Sequence, residues 1–258
     1  MNNDLELLLA ETDLLKSQFG LQSHCLGPAL LQSLDTEYTY QSLRLEGSSL
    51  SLAETTLVIK NGLMSPTRPM VESLAALNHY QAVQFVREQA ADQSLLSEAL
   101  LKQLHAILVR AIDRSNAGVY RAQAASMVGS LHTPPSADQL PDFIAETVQW
   151  LRLEGPFMHP LLFAAETHQR LSRLQPFNSA NGPCARLAMN LILLQEGFPI
   201  ANIHGDPDSR QAYCQALFAA KSRENDAVWP IFVARQVNAD IKALLSRFAG
   251  EQGDIGNG

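Results

Sequence analysis

Apolar residues recur at helical spacing along most of this 258-residue chain. Positions i, i+3 and i+4 are apolar in segment after segment, which is typical of helices that bury one face. The pattern predicts helices near residues 4–18, 27–43, 50–60, 71–91, 95–111, 139–153, 160–173, 183–196, 207–222 and 227–248. Charged residues are sparse in the segment 183–196, so we expect that helix at the centre. The sequence therefore predicts an all-α bundle.

One stretch departs from the helical pattern. Residues 120–131 have some extended character, and Pro134 and Pro135 follow them and disfavour helix at the preceding positions. We predict a small β-hairpin there, forming a flap over residues 120–135. We divide the chain into an N-terminal helical region (1–65), a core domain (66–248) and a tail (249–258), which its glycine-rich composition predicts to be flexible.

Composition limits the function classes. The chain is 46% hydrophobic with a net charge of −7 and has no cluster of basic residues, which argues against a nucleic-acid partner. The apolar run near Leu187–Leu194 is shorter than the roughly 20 residues that span a bilayer, so no membrane segment is expected. Cys25, Cys184 and Cys214 lack C-x-x-C spacing, which favours a reducing compartment. We expect a soluble, cytoplasmic protein.

The segment Leu174–Asn190, LQPFNSANGPCARLAMN, begins as a polar turn and continues as an apolar-periodic helix. A turn of small residues that leads directly into a helix presents unpaired backbone N–H groups and the positive end of the helix dipole. Phosphate groups bind at such helix N-termini. The segment is therefore a candidate phosphate-binding site.

The same segment resembles the signature of the Fic (filamentation induced by cAMP) family, H-P-F-x-D/E-G-N-x-x-x-R. The chain keeps Pro176, Phe177, Asn181 and Arg186, together with Gly182. The resemblance covers roughly residues 70–235 and implies the Fic-type helical bundle with a flap. The further matching residues are Leu104, His105, Gly118, Tyr120, Arg121, Val128, Gly129, Pro134, Pro135, His159, Pro160, Leu161, Ala164, Ala165, His168, Tyr213 and Leu217.

A second signature lies near the front of the chain. Ser42, Glu46 and Gly47 match the S/T-x-x-x-E-G/N motif of autoinhibited Fic proteins, and its place before the core is typical of class II. In the family, this glutamate pairs with the last arginine of the active motif and keeps ATP from binding productively. The resemblance therefore implies a pair between Glu46 and Arg186. The alternative is a solvated glutamate near a helix end.

Fic proteins mostly transfer AMP from ATP to a hydroxyl side chain of a target protein. In the family, the histidine takes the proton of that hydroxyl, the acid holds Mg²⁺ on the phosphates, and the following turn cradles the nucleotide. The resemblance thus implies that ATP or another nucleotide binds here, at Asn181, Gly182 and Arg186.

The chain departs from the family at four functional positions. Gln175 replaces the histidine, and a carboxamide has no basic nitrogen to accept a proton near neutral pH. Ser179 replaces the acid, which argues against a Mg²⁺ site because hard cations favour charged oxygen ligands. Ala180 replaces a glycine and is strained if the turn needs a positive φ. Pro183 replaces an arginine and also removes one backbone donor.

Other candidate residues favour structural roles. His159 precedes a proline at a helix start, and Glu166 and His168 lack the spacing of a metal site. Arg121 follows Tyr120 and is expected to anchor the flap. A small buried residue is the simplest interpretation of Cys184, and loop exposure is that of His132 and Thr133.

Our leading hypothesis is a Fic-type protein that is impaired in AMP transfer and acts by binding a nucleotide or a protein. A protein target would dock along the 120–135 flap, and the resemblance also implies a homodimer. The alternative is an active nucleotidyl- or phosphotransferase that uses altered chemistry and is inhibited by Glu46.

Overall fold

The computed structural model describes residues 3–125, 133–219 and 227–255. Within these ranges the chain folds into ten α-helices joined by short connections and three 3₁₀ turns. The helices are α1 (Asn3–Gln22), α2 (Pro28–Leu45), α3 (Leu52–Asn61), α4 (Met70–Ala91), α5 (Glu98–Leu108), α6 (Leu140–Leu153), α7 (Pro160–Leu174), α8 (Asn181–Gln195), α9 (Pro207–Ala219) and α10 (Val228–Ile255). The predicted all-α class is confirmed for the described part of the chain.

Half of the predicted β-hairpin, residues 126–131, falls outside the described residues. Tyr120–Ala125 and the segment from Thr133 to Ser136 have no strand. None of the helices in the described ranges is long and apolar enough to cross a membrane.

Helix α8 occupies the centre of the bundle. It packs against α7, α4 and α5, and Leu187, Met189 and Leu191 are completely buried. The helix carries no charged residue except Arg186, which lets almost its whole surface face other helices. It ends at Gln195, and the positive φ of 79° at Gly197 allows the N–H groups of Gly197 and Phe198 to bond back to the last turn.

The N-terminal helices share the core of the rest of the chain. Helix α1 packs along α10, where buried Thr12 donates a 2.7 Å hydrogen bond to Asn238. Helix α2 packs against α4 and is fixed there by Asp35, which accepts paired hydrogen bonds from Arg87. This packing places the end of α2 beside the start of α8, which determines the geometry of the site.

The predicted division of the chain stays a prediction, but two of its boundaries meet structural features. Residue 65 falls in the connection between α3 and α4. Helix α10 continues to Ile255, so helical backbone covers most of the 249–258 segment that the sequence predicts to be a flexible tail. The composition of that segment therefore does not by itself stop the helix at residue 248.

Candidate functional site

The turn between α7 and α8 begins at Gln175, which ends α7 with a left-handed backbone, φ 44° and ψ 60°. Its backbone N–H donates to Leu171 O, and its side-chain Nε2 donates to Ser172 O at 2.9 Å. The Gln175 amide therefore satisfies a carbonyl of the last turn of α7.

Asn181 closes the turn. Its Oδ1 accepts from the Phe177 N–H at 2.9 Å, and its Nδ2 donates to Phe177 O at 2.8 Å. Ala180, just before α8, has a left-handed backbone with φ 54°. For a residue with a Cβ this conformation costs roughly 1–2 kcal/mol. The turn thus requires the positive φ for which the family uses glycine.

Phe177 fixes the turn to α5. Its ring stacks on that of buried His105, with centroids 3.8 Å apart and planes 2° apart, and it also contacts Tyr120. The Gly118 N–H donates to His105 Nδ1 at 3.0 Å, and burial lowers the pKa of His105 to about 4. The ring is therefore neutral at physiological pH. Sequence reasoning noted His105 as a family match but assigned it no role.

Buried Arg121 holds the backbone on both sides of the predicted flap. Its guanidinium donates to Gln123 O and Pro135 O, at 2.8 and 2.6 Å, and to Leu174 O and Gln175 O at the end of α7. Its own N–H donates to Pro176 O. This one side chain thus ties Gln123 and Pro135 to the turn.

Arg186, in the first half of α8, is 1% exposed and bonds to the end of α2. Its Nε donates to Ser42 Oγ at 3.0 Å, and its Nη2 donates to Ser42 O and to Glu46 Oε1, both at 2.9 Å. Burial alone lowers the pKa of Arg186, but the attraction of Glu46 outweighs it and the pKa lies above its ordinary value. Glu46 is therefore the main counter-charge of a buried cation.

Glu46 also lies directly against the N-terminus of α8. A Cβ added at Gly182 would collide with Glu46 Oε1 and would lie 3.1 Å from Arg186 Nη1. The carboxylate therefore uses the space that glycine leaves open, at the positive end of the helix dipole. Gly47 follows with φ 95°, a conformation that favours glycine, and turns the chain away from α2. The Glu46 side chain is 43% exposed, so solvent reaches this ion pair.

Ser42 links the ion pair to a buried histidine that sequence reasoning missed. His79 Nε2 lies 2.9 Å from Ser42 Oγ, and its Nδ1 lies 3.1 Å from Thr39 Oγ1. Burial, together with the charge of Arg186, lowers the pKa of His79 to about 3. Because the imidazole is neutral, it adds no second positive charge, and the Glu46 carboxylate balances the charge of Arg186. The helical periodicity of α4 predicts that His79 is buried but not what it contacts.

The remaining sequence candidates lie in structural positions. His159 caps α7, because its Nδ1 accepts from the Leu161 N–H, and its Nε2 contacts Asp13. His168 is buried, with its Nε2 3.1 Å from Tyr213 Oη. Burial raises the pKa of the Cys184 thiol, so this cysteine is a poor nucleophile. Glu166 pairs with Arg170, Thr133 is exposed, and His132 lies outside the described residues.

The family's metal position does not fit Mg²⁺ in this chain. Ser179 is exposed and offers a neutral hydroxyl, and residues 175–182 contain no carboxylate. The carboxylate beside the turn is that of Glu46, which Arg186 binds. Across the described ranges, no group of three or more His, Cys, Asp or Glu side chains is arranged to hold a metal ion.

Comparison with known proteins gives consistent matches. The family model described as Fic/DOC family matches residues 95–193. "Protein adenylyltransferase fic-1" of Caenorhabditis briggsae is 26% identical over 226 residues, covering 86% of this chain and 43% of the relative. "Protein adenylyltransferase Fic" of Nematostella vectensis is 28% identical over 216 residues, covering 81% of this chain and 48% of the relative. The chain thus spans less than half the length of these relatives.

The solved structure of Fic-1 (aa134–508) from C. elegans superposes with a TM-score of 0.80 at 23% identity. The superposition covers 95% of this chain and 71% of the other, so the shared fold extends over almost all of the helices. At this level of identity the likeness concerns the fold.

The neutral state of His79 predicts how stability depends on pH. Unfolding at pH 5 adds a proton to His79, because its pKa is about 3 in the fold and about 6.5 in the unfolded chain. Above about pH 6.5 His79 is neutral in both states and does not affect the pH dependence of stability. Between about pH 6.5 and 3 only the unfolded chain binds the proton, so the free energy of unfolding decreases as the pH falls. In urea unfolding between pH 6 and 4, His79→Gln should lower the slope of the unfolding free energy by about 1.4 kcal/mol per pH unit.

Thr39→Val is the matched control for this measurement. It removes the hydroxyl on His79 Nδ1 without removing a titratable group, so it should lower stability and keep the wild-type slope. An unchanged slope in His79→Gln would show that the histidine is not held neutral.

Proposed function

The chain belongs to the Fic/DOC family, and on that premise we propose that it binds a nucleoside phosphate at the N-terminus of α8 under the control of Glu46. We further propose that its capacity to transfer AMP to a protein is strongly reduced. Both parts of the proposal derive from the residues that surround the turn 175–182.

The contact of Glu46 with Gly182 and Arg186 is the observation that carries the proposal. A helix N-terminus with an open glycine and a buried guanidinium is a favourable place for a phosphate oxygen. The Glu46 carboxylate lies in that place and satisfies the same groups. Phosphate and Glu46 should therefore compete, because a buried arginine needs one anion and the space beside Gly182 is limited.

This competition is what autoinhibition of the class II kind requires. Helix α2 precedes the core; Ser42 lies in its last turn, and Glu46 and Gly47 directly follow its end. Ser42 accepts two hydrogen bonds from Arg186, which aligns the guanidinium with the glutamate. Release of Glu46 would leave Arg186 anchored to Ser42 and ready to bind an anion. We therefore assign the inhibitory role to these residues at the end of α2.

The reduced transfer is argued from the substituted positions. Gln175 has no basic nitrogen, and its amide is bound to α7. General-base catalysis is commonly worth 10²–10⁴-fold, and no other side chain of the turn offers a base. His79, His105 and His168 are buried and have lowered pKa values, so they are poor proton acceptors near neutral pH. Ser179 adds the loss of a charged metal ligand.

The partner is proposed from the names of the relatives, which are protein adenylyltransferases. We propose a protein target that docks along the 120–135 flap by adding a strand. Arg121 supports this proposal, because its guanidinium fixes the backbone at Gln123 and at Pro135, within the proposed docking segment.

Nucleotide binding is tested by titrating ATP, ADP and GTP, with and without Mg²⁺, into the wild-type chain and Glu46→Gly, read by calorimetry. The variant removes the competing carboxylate, so at least one nucleotide should bind tighter by about tenfold or more, equivalent to about 1.4 kcal/mol. Glu46→Gln keeps most of the side-chain volume and should give a smaller gain.

Glu46→Gly combined with Arg186→Ala is the matched negative control, and it should lose the gain. If none of the three nucleotides binds to folded Glu46→Gly, the site is not a nucleotide site. The proposal then fails at its first step.

The impaired chemistry is tested by restoring the family residues in the Glu46→Gly background. Gln175→His, Ser179→Asp, Ala180→Gly and Pro183→Arg together should raise AMP transfer to the chain itself, read as a mass shift. The same set without Gln175→His should transfer about 10²-fold more slowly or worse, because it lacks the base. Robust transfer by Glu46→Gly alone, abolished by Gln175→Ala, would instead establish an enzyme with altered chemistry.

A further inference from the structure

A second cavity lies far from the anion site. A cleft of about 510 Å³ opens between the end of α1, α2, the C-terminal end of α8 and α10. It contacts α8 at Leu194 and Gly197, and Leu194 is twelve residues from Gly182, about 18 Å along the helix. Most of its wall is apolar, including Phe19, Leu31, Leu34, Tyr38, Phe198 and Leu244. A cleft of this size suits a drug-sized molecule.

The polar groups of the cleft include carboxylate and amide oxygens, which accept hydrogen bonds. Asp240 accepts from the Asn202 N–H at 2.8 Å and from Gln236 Nε2 at 3.1 Å, and Glu37 lies along the same wall. The Asn202 Oδ1 atom is buried without a hydrogen-bond partner in the described part of the chain. A molecule that donates hydrogen bonds would satisfy these acceptors.

Asp240 has no cation among its main electrostatic neighbours. Burial, with a smaller contribution from Glu37, raises the pKa of Asp240 to about 7, although Asn202 and Gln236 favour its ionised form. Ionisation of Asp240 beside this apolar surface therefore destabilises the fold. The C-terminal end of α8 adds the negative end of a helix dipole at Leu194 and Gly197.

Two arginines also line the cleft. Arg87 is bound by Asp35 through paired hydrogen bonds of 2.6 to 2.9 Å. Arg247 is exposed at the rim. Lys16 lies over the Phe198 ring at 4.7 Å, which indicates that a cation is stable at this end of α8.

We propose that this cleft is a binding site for an amphipathic amine, whose ammonium group pairs with Asp240 and Glu37 while its apolar body packs against α1, α2 and α10. The charge complementarity selects the amine over a neutral or acidic molecule of the same shape, because an anion would meet two carboxylates. The site is independent of the nucleotide proposal, since the two share no lining residue.

The test compares three probes with the same phenylbutyl body, 4-phenylbutylamine, 4-phenylbutanol and 5-phenylpentanoate. Each is titrated into the full chain at about pH 8, where the amine is cationic and a carboxylate of pKa about 7 is mostly ionised. Binding is followed by NMR. We expect the amine to bind at least about tenfold tighter than the alcohol, and the acid to bind weakest.

Two variants locate the site. Asp240→Asn should weaken amine binding about tenfold or more while leaving the alcohol nearly unchanged, and Ala243→Trp should fill the rim of the cleft and block all three probes. Asp138→Asn is the matched control, because Asp138 is an exposed carboxylate outside the cleft. This variant should bind the amine as the wild type does. Thermal unfolding checks that each variant is folded, and Glu37→Gln replaces Asp240→Asn if the latter is not.

Three results would overturn the proposal. They are equal binding of the three probes, amine binding that survives both carboxylate substitutions, and no amine binding up to about 10 mM, where a site worth about 3 kcal/mol would already be half filled.

Discussion

The charge of Arg186 is the constraint on which the rest of the structure depends. A guanidinium that is 1% exposed at the centre of a helical bundle needs an anion and several acceptors, and one segment of α2 provides them. Ser42 contributes two oxygen atoms and Glu46 contributes the charge. The end of α2 is therefore held at the start of α8 by electrostatics as well as by packing. The Glu46 carboxylate fills the space beside Gly182, so the contact that holds α2 on α8 is also the one through which we propose that Glu46 controls binding.

The surroundings of this ion pair are arranged to stay neutral. His79 and His168 both lie near Arg186, and both have pKa values of about 3, so neither adds a second positive charge. The turn itself is held from the other side, by the stack of His105 on Phe177 and by the carbonyl contacts of Arg121. The scaffold of the site is thus well supported, whereas the positions that would carry the chemistry hold Gln175 and Ser179. This contrast between a supported frame and altered reacting groups is the basis for proposing binding with reduced transfer.

Much of this could be predicted from the sequence, for physical reasons that differ between residues. Helix α8 follows from its apolar periodicity and lack of charge, and the left-handed Ala180 follows from the glycine that the family has there. The contact between Glu46 and Arg186 is predicted only by the resemblance, since no local sequence pattern links two residues that are 140 positions apart. The roles of His79 and His105 could not be predicted, because they depend on which helices pack together. The cleft proposed to bind an amine could not be predicted either, because its wall is assembled from four helices that are distant in the sequence, α1, α2, α8 and α10.

Glu46 and a phosphate group should compete for one place beside Arg186. Thermal unfolding of the wild-type chain and of Glu46→Gly in increasing pyrophosphate, with sodium chloride at matched ionic strength, measures this competition. A ligand that binds only the folded state raises the melting temperature with its concentration. We expect pyrophosphate to stabilise Glu46→Gly clearly more than the wild type, and chloride to affect both alike. An equal response of the two proteins to pyrophosphate would contradict the claim, because the carboxylate would then not occupy the anion site.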